Sequence, residues 1–291
     1  MDSLGTGGKL PPIEQMISTV MQDAHRAHLQ ASIEQAFALH EPTASSPDET
    51  RVWASDSGTC ERRVGFRLLG VQESEAFDSE AHYNFFRGLA VEGLISAALA
   101  LYADEFEAQV HWSWPLPDGS GMSLTGRSDA RYRIGPTWVT AEVKGMHPYP
   151  FLLATGQRES KTDVPGPKPE HVAQAQLGCM AKGDAGVHVI YASFAPDSNT
   201  PPVAEWKVGR SEAVATEHAD VLLALAATAQ DGYLPVPLFD GRVIEEVVVD
   251  TSRGRKAWPC GYCNYASHCA GLPRTLMGAD ELTHVPRVVV A

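Results

Sequence analysis

The chain has 291 residues, 44% apolar and 20% charged, enough for one large domain or two small ones around a sizeable core. Its formal charge of −13 argues against nucleic-acid binding through overall basicity, and no run approaches the ~18 to 20 uninterrupted apolar residues of a membrane span. The N-terminus has neither a basic start nor an apolar h-region, and five cysteines without a signal peptide suit metal ligation or core thiols in a reducing compartment. A cytoplasmic location is expected.

In chain order, Ile13, Met16, Ile17, Val20 and Met21 recur at helical spacing behind Pro11 and Pro12, predicting a helical extension over 12–40. A loop rich in Pro, Ser and acid follows over 41–49. A second helix is expected after Thr59, carrying Arg63, Phe66 and Leu69. The strongest helix covers 80–103, where Phe85, Phe86, Leu89, Leu94, Ile95 and Leu99 form a broad apolar stripe interrupted by Glu92. Strands are expected over 106–114, 124–134 and 137–144, the last two as a hairpin around Gly135-Pro136. Residues 145–169 lack periodicity and read as a long loop. A helix over 170–182, strands over 187–194 and 202–208 and a helix over 211–227 precede a Pro-punctuated segment and a cysteine-rich tail. The pattern is mixed α/β, with helices before and after a central sheet.

Charge is unevenly spread. Residues 1–50 hold seven acids against two basic residues, whereas no acid lies between Asp250 and Asp280. Arg62, Arg63 and Arg67 follow Cys60, and Arg253, Arg255, Lys256 and Arg274 bracket the tail cysteines. This predicts a local basic rim, compatible with DNA where divalent metal neutralises the active site. A solvated charged face with no partner is the alternative.

Within the expected hairpin, Glu142 and Lys144 are two residues apart and share one strand face, while Val143 points the other way. Asp129 on the preceding strand can reach the same face. Two carboxylates and the Val143 backbone carbonyl make a hard oxygen site suited to Mg²⁺ or Mn²⁺, with Lys144 free to orient a water or offset transition-state charge. Glu92, the one acid on a largely apolar stretch, completes the site; otherwise it is a boundary acid at the edge of the stripe. Glu-x-Lys alone is common on exposed strands, so the pattern Gly126-x-x-Asp129 before it carries much of the weight.

Cys260, Cys263 and Cys269 form C-x2-C-x5-C, which cannot close a tetrahedral thiolate site alone; Cys60 can supply the fourth ligand. Zinc suits four thiolates as well as iron does, but zinc ribbons use close pairs, and here about two hundred residues separate Cys60 from the tail. Cys179, in a helix of small and apolar residues, reads as core. Trp112 and Trp114 share a strand face and read as core packing, with base stacking as the alternative.

Gly126-x-x-Asp129, Glu142-x-Lys144 and the helix of Gln174, enclosed by Cys60 and the C-terminal cysteine triple, resemble the PD-(D/E)XK nuclease superfamily. The nearer resemblance is to its RecB-like iron–sulfur branch, with the CRISPR-associated exonuclease of the Cas-four type and similar phage exonucleases. It spans roughly 60–269. It implies a restriction-endonuclease-like α/β fold, a central mixed sheet flanked by helices, with an N-terminal helical extension and a C-terminal cysteine cluster. It also implies a metal-dependent single-stranded DNA exonuclease with Mg or Mn at Glu92, Asp129, Glu142 and Val143. Lys144, Glu142, Asp129 and Gln174 would be catalytic, and a 4Fe-4S cluster would sit on Cys60, Cys260, Cys263 and Cys269. Two departures stand out: Glu92 occupies a position where the family often has His, and Gly178 replaces an aromatic four residues after Gln174. The expected partition is an extension over 1–50, a nuclease domain over 51–275 and a tail over 276–291. The expected partners are DNA with free ends and a helicase, recombinase or integrase, but no membrane. The competing function is a non-catalytic iron–sulfur or zinc DNA-binding subunit of a recombination or CRISPR-type assembly.

Overall fold

The computed structural model describes residues 10–20, 51–74, 79–115, 123–159, 164–193, 202–239, 242–244, 249–250, 255–256, 260, 263–270 and 272–282. The order begins α1 (Ile13–Val20), β1 (Arg51–Trp53), α2 (Glu61–Leu68), α3 (Ser79–Tyr102), β2 (Glu105–Pro115), β3 (Ser123–Ile134) and β4 (Thr137–Met146). It continues with α4 (Pro148–Ala154), α5 (Pro169–Lys182), β5 (Gly186–Ser193), β6 (Val203–Gly209) and α6 (Glu212–Gln230). Short pieces follow: β7 (Tyr233–Leu234), β8 (Leu238–Phe239), β9 (Arg242–Val243), β10 (Val249–Asp250), β11 (Arg255–Lys256), α7 (Ala266–Ala270) and β12 (Met277–Gly278). The expected helix over 12–40 is seen over Ile13–Val20; its remainder, and the loop over 41–49, lie outside the described residues.

The chain divides into two compact units, interleaved in sequence: Met1–Thr43, Tyr83–Trp112 and Gly126–Thr216 in the first, and Ala44–His82, Ser113–Thr125 and Glu217–Ala291 in the second. The first carries a mixed sheet in the order β3-β4-β5-β6, with β2 along β3. β3–β4 and β5–β6 are antiparallel and β4–β5 is parallel. Period-two alternation divides β4 between two cores. Ala141 and Val143 pack with Ile95, Ala98 and Leu99 of α3 and with Ile13, Met16 and Ile17 of α1. On the other face Met146 joins Val189 and Tyr191 of β5, Phe151 of α4, and Ala175 and Cys179 of α5. Helices thus flank the sheet on both faces, as the sequence pattern predicts, and Cys179 is a core thiol.

By length and mean hydropathy, His82–Tyr102 would also suit a membrane span. Its residues Val91, Leu94, Ile95 and Leu99 instead pack into the first unit's core. The stretch is not an uninterrupted apolar run, because Asn84, Arg87 and Glu92 break it.

α4 corrects the expected loop over 145–169. Pro148 stands in its first turn, where a missing N–H costs no bond, and Phe151 and Ala154 are buried one turn apart. Two prolines in Pro148-Tyr149-Pro150 hide that short amphipathic turn from a periodicity reading. α5 ends in left-handed Gly183 (φ 69°), and Asp184 N donates to Cys179 O at 2.9 Å. Buried Asp184 then accepts from Thr140 Oγ1 at 2.7 Å and pairs with Arg131 at 2.8 Å, tying the end of α5 to β3 and β4.

In the second unit, β1 runs parallel to the first residues of β3, from Arg51↔Ser123 to Trp53↔Thr125. Phe66, Val71, Leu234, Tyr265, Cys269, Met277 and Leu282 form its core. Phe66 stacks on Tyr265 with centroids 5.2 Å apart. A Cβ on Gly65 would come within 2.3 Å of Pro235, so α2 rests directly on the chain after β7.

Candidate active site and cysteine centre

The β3–β4 ladder runs from Ile134↔Thr137 to Ala130↔Ala141 and stops there, while β4 continues beside β5 to Met146↔Ser193. At the fork the Asp129 side chain takes over from the ladder: its Oδ2 accepts the Val143 N–H at 2.7 Å. That bond fixes one carboxylate beside Glu142, the residue before Val143 on β4, which is 1% exposed. Lys144, two residues on, sets Nζ 2.5 Å from Glu142 Oε1 as an ion pair. Glu92 enters from α3 and is also buried.

The charges within this group act on one another. Burial, then the negative charge of Asp129, pushes the Glu92 carboxyl well above its ordinary value, with Glu142 adding and Arg127 and Lys144 opposing. Burial likewise pushes Glu142 up; Lys144 pulls against it and Asp129 adds to it. Burial works against the Lys144 charge, but Glu142, Asp129 and Glu92 together hold the ammonium above its usual range. Oxygen donors that repel one another's charge in a buried fork suit a hard divalent cation, whose charge would offset that repulsion. Among the described residues, no three His, Cys, Asp or Glu side chains are gathered closely enough to hold an ion as they stand. A cation would have to draw the carboxylates together and release Glu142 from Lys144.

Sequence reasoning missed three residues near this fork. Arg127 sits two residues before Asp129, so strand alternation alone could have placed it on the same face. Tyr191 is the β5 partner of Lys144, visible only once the parallel β4–β5 pairing is known. His171 of α5 sets Nδ1 2.7 Å from the Tyr191 hydroxyl, and Lys144 acts on its charge. Gln174 lies one helical turn beyond His171 on α5 and is half-buried. The neighbouring Gln176 does the structural work, donating to Gly209 O and accepting from Ser211 N, both at 2.9 Å.

Two glycines have a packing reason. A Cβ on Gly126 would lie 2.2 Å from the Trp112 ring. One on Gly178 would lie 2.4 Å from Ser128 Oγ and 3.1 Å from Trp112 Nε1. Trp112, 7% exposed, lies against Gly126 and Gly178 and packs as core. Trp114 is 37% exposed.

In the second unit, Cys60, Cys260, Cys263 and Cys269 are all free thiols lining one cavity of about 60 Å³, together with Thr59, Arg63 and Phe66. Cys60 immediately precedes α2, at the positive end of the helix dipole, which favours a thiolate. Burial pushes its thiol up to about 11; the backbone N–H groups of Arg63 and Arg62 oppose this, while Cys269 and Cys263 add to it. Burial and neighbouring thiol charge also raise Cys260 and Cys263. Four soft donors around one cavity are of the type that suits a thiolate-bound metal centre, although among the described residues no three are gathered closely enough to hold an ion as they stand. His268 is turned away, with Nε2 3.0 Å from Gln72 O.

The expected basic rim is corrected in part. Arg62 is fully buried, donating from Nε to Pro235 O at 2.8 Å and from Nη1 and Nη2 to Pro273 O and Thr275 O at 2.6 Å. Arg67 pairs with Asp56, and Arg274 donates to Cys269 O at 2.9 Å and to its Sγ at 3.3 Å. Near four potential thiolates, inward cations lower the cost of burying negative charge, a local role that a count of surface charge cannot reveal.

No family model and no curated protein matches the chain. Among solved structures, SSO0001 is similar at 18% identity and TM-score 0.45, over 87% of this chain and 99% of that one. An alkaline exonuclease from Laribacter hongkongensis is similar at 16% identity and TM-score 0.43, over 68% and 93% respectively. The same exonuclease in complex with dAMP is similar at 17% identity and TM-score 0.42, over 64% and 91%.

Proposed function

We propose that the protein is a metal-dependent DNA nuclease whose hydrolytic site is the fork of β3 and β4, with single-stranded DNA ends as substrate. The observation that carries this is the convergence of Asp129, Glu142, Lys144 and Glu92 where the β3–β4 ladder stops, with Asp129 locked to the backbone of Val143. Asp129, Glu142, Glu92 and the Val143 carbonyl would hold Mg²⁺ or Mn²⁺, which supplies Lewis acidity toward a phosphoryl oxygen and lowers the pKa of a bound water. Lys144, released from Glu142, offsets negative charge developing on the phosphate or orients the attacking water. Gln174, half-buried on α5, would line the approach. The substrate end preference follows from the sequence resemblance, as does the assignment of a 4Fe-4S cluster to Cys60, Cys260, Cys263 and Cys269. The cavity that these cysteines share supports a metal centre there.

The test is cleavage of labelled single- and double-stranded DNA by purified protein with Mn²⁺ or Mg²⁺. Lys144→Ala should slow cleavage at least ~100-fold while DNA binding in Ca²⁺ changes little. Asp129→Ala should also weaken Mn²⁺ affinity, because it removes a ligand. Equal rates for Lys144→Ala and the parent would make Glu142-Val143-Lys144 an ordinary strand. Binding without cleavage by every form would favour the non-catalytic DNA-binding subunit.

A further inference from the structure

Beside the fork lies a polar pair that the proposed chemistry has not used. Tyr191 is completely buried, held edge-on by Trp206 with ring centroids 5.0 Å apart and by His171 at 5.4 Å. Its hydroxyl accepts the Lys168 N–H at 2.7 Å and lies 2.7 Å from His171 Nδ1. Burial pushes the phenol up to about 12, so its proton is in place. A buried O–H needs an acceptor, and Nδ1 is the one within reach. Burial, then the charges of Lys144 and Lys168, holds the imidazole well below its ordinary range, so the ring is neutral. A neutral ring that accepts at Nδ1 carries its proton on Nε2, at the opposite edge, and His171 is only half-buried.

We propose that His171 is a phosphate-contacting residue of the nuclease site, donating from Nε2 to a phosphodiester oxygen of the bound strand, with Tyr191 as its positioning residue. The inference rests on the nuclease reading and deepens it. Three facts join the pair to the site: Tyr191 is the strand partner of Lys144, the Lys144 charge reaches His171, and Gln174 follows one turn later on α5. A neutral donor suits this position, because a second cation against Lys144 would be repelled before DNA arrived. The hydroxyl supplies what fixed donors need, an orientation set before the ligand binds.

The test uses the two amides that mimic either ring nitrogen. Asn places its amide near Nδ1, so His171→Asn keeps a partner for Tyr191 and loses the outward donor. Gln reaches the Nε2 position, so His171→Gln keeps the donor. We expect His171→Asn to raise KM for DNA about tenfold, with a smaller effect on kcat, and His171→Gln to stay within about threefold of the parent. Tyr191→Phe should fall between them, and the ¹⁵N shifts of His171 should show Nε2 losing its exclusive hold on the proton. If His171→Asn cleaves like the parent and His171→Gln is the damaged one, the ring only braces Tyr191 and the proposal is overturned. Equal losses with equally lowered thermal midpoints would make His171 a packing residue and overturn it too. If the parent cleaves nothing, the nuclease reading falls by itself. DNA binding in Ca²⁺ then decides the phosphate contact, which stands if His171→Asn weakens binding and His171→Gln does not, and falls otherwise.

Discussion

At the carboxylate fork, Asp129, Glu142 and Lys144 belong to one hairpin, and strand register places them with a single side-chain-to-backbone bond. At the cysteine centre, Cys60 lines one cavity with Cys260, Cys263 and Cys269, which lie about two hundred residues away in the chain. The first arrangement survives as long as the sheet does. The second exists only when distant segments close on one another, so whatever closes them, thiolate-bound metal or Arg62, should dominate its stability. The contrast separates a site whose residues can be changed at a cost in chemistry from one whose residues can be changed only at a cost in structure.

Cys60→Ala should give the largest effect. Anaerobically purified parent protein should be brown, with broad absorption near ~400 nm from thiolate-bound iron, and the variant should lose both iron and much of its folded fraction. Colourless parent protein carrying one equivalent of zinc would replace the iron–sulfur assignment with a structural zinc site.

Arg62→Met comes next. It keeps the buried aliphatic stem but leaves the carbonyls of Pro235, Pro273 and Thr275 without a donor, at about 1 to 3 kcal/mol each if none finds water. Urea unfolding should register a loss of about 3 kcal/mol or more. A loss below about 1 kcal/mol would mean that Arg62 does little to close the unit.

Gly126→Ala tests the sheet that holds the fork. Its methyl would drive Trp112 from its seat, and overpacking of this kind costs about 1 to 3 kcal/mol. An unchanged midpoint would show that Trp112 can swing aside, which the buried ring on Gly178 argues against.

Glu92→Gln should leave stability least altered, because burial and Asp129 already push this carboxyl toward its neutral form, which the amide matches in shape and charge. Cleavage should nevertheless be abolished. Normal cleavage would reduce Glu92 to a boundary acid and leave Asp129 and Glu142 as the carboxylates of the site.

How much of this was legible in the sequence depended on whether the signal was local. Period-two alternation put Glu142 and Lys144 on one face, and the stripe on α3 marked Glu92 as the odd acid, because both patterns are written within a few residues. The convergence of four cysteines followed from the inability of the tail triple to close a site alone. Tyr191 and His171 were hidden, since their relation to Lys144 exists only through the parallel β4–β5 pairing and the seat of α5 above it. Arg62 was misread as surface charge for the same reason: its acceptors are backbone carbonyls, which leave no trace in residue identity. The packing need for Gly178 was hidden in the same way, since the Trp112 ring that its Cβ would crowd comes from a distant strand.

The guanidinium of Arg62 also sets a timetable. Its acceptors lie at 235, 273 and 275, and the tail thiols lie between them. At roughly 5 to 20 residues per second, a ribosome takes on the order of 10 to 40 s to travel from Cys60 to Cys260. Through that interval the nascent chain carries an unmatched thiol and an unmatched cation side by side, while the fork of β3 and β4 can already form. The chain therefore reaches the hairpin of β3 and β4 early and completes its closure late, and oxidants or stray metal ions have that window in which to reach Cys60 first.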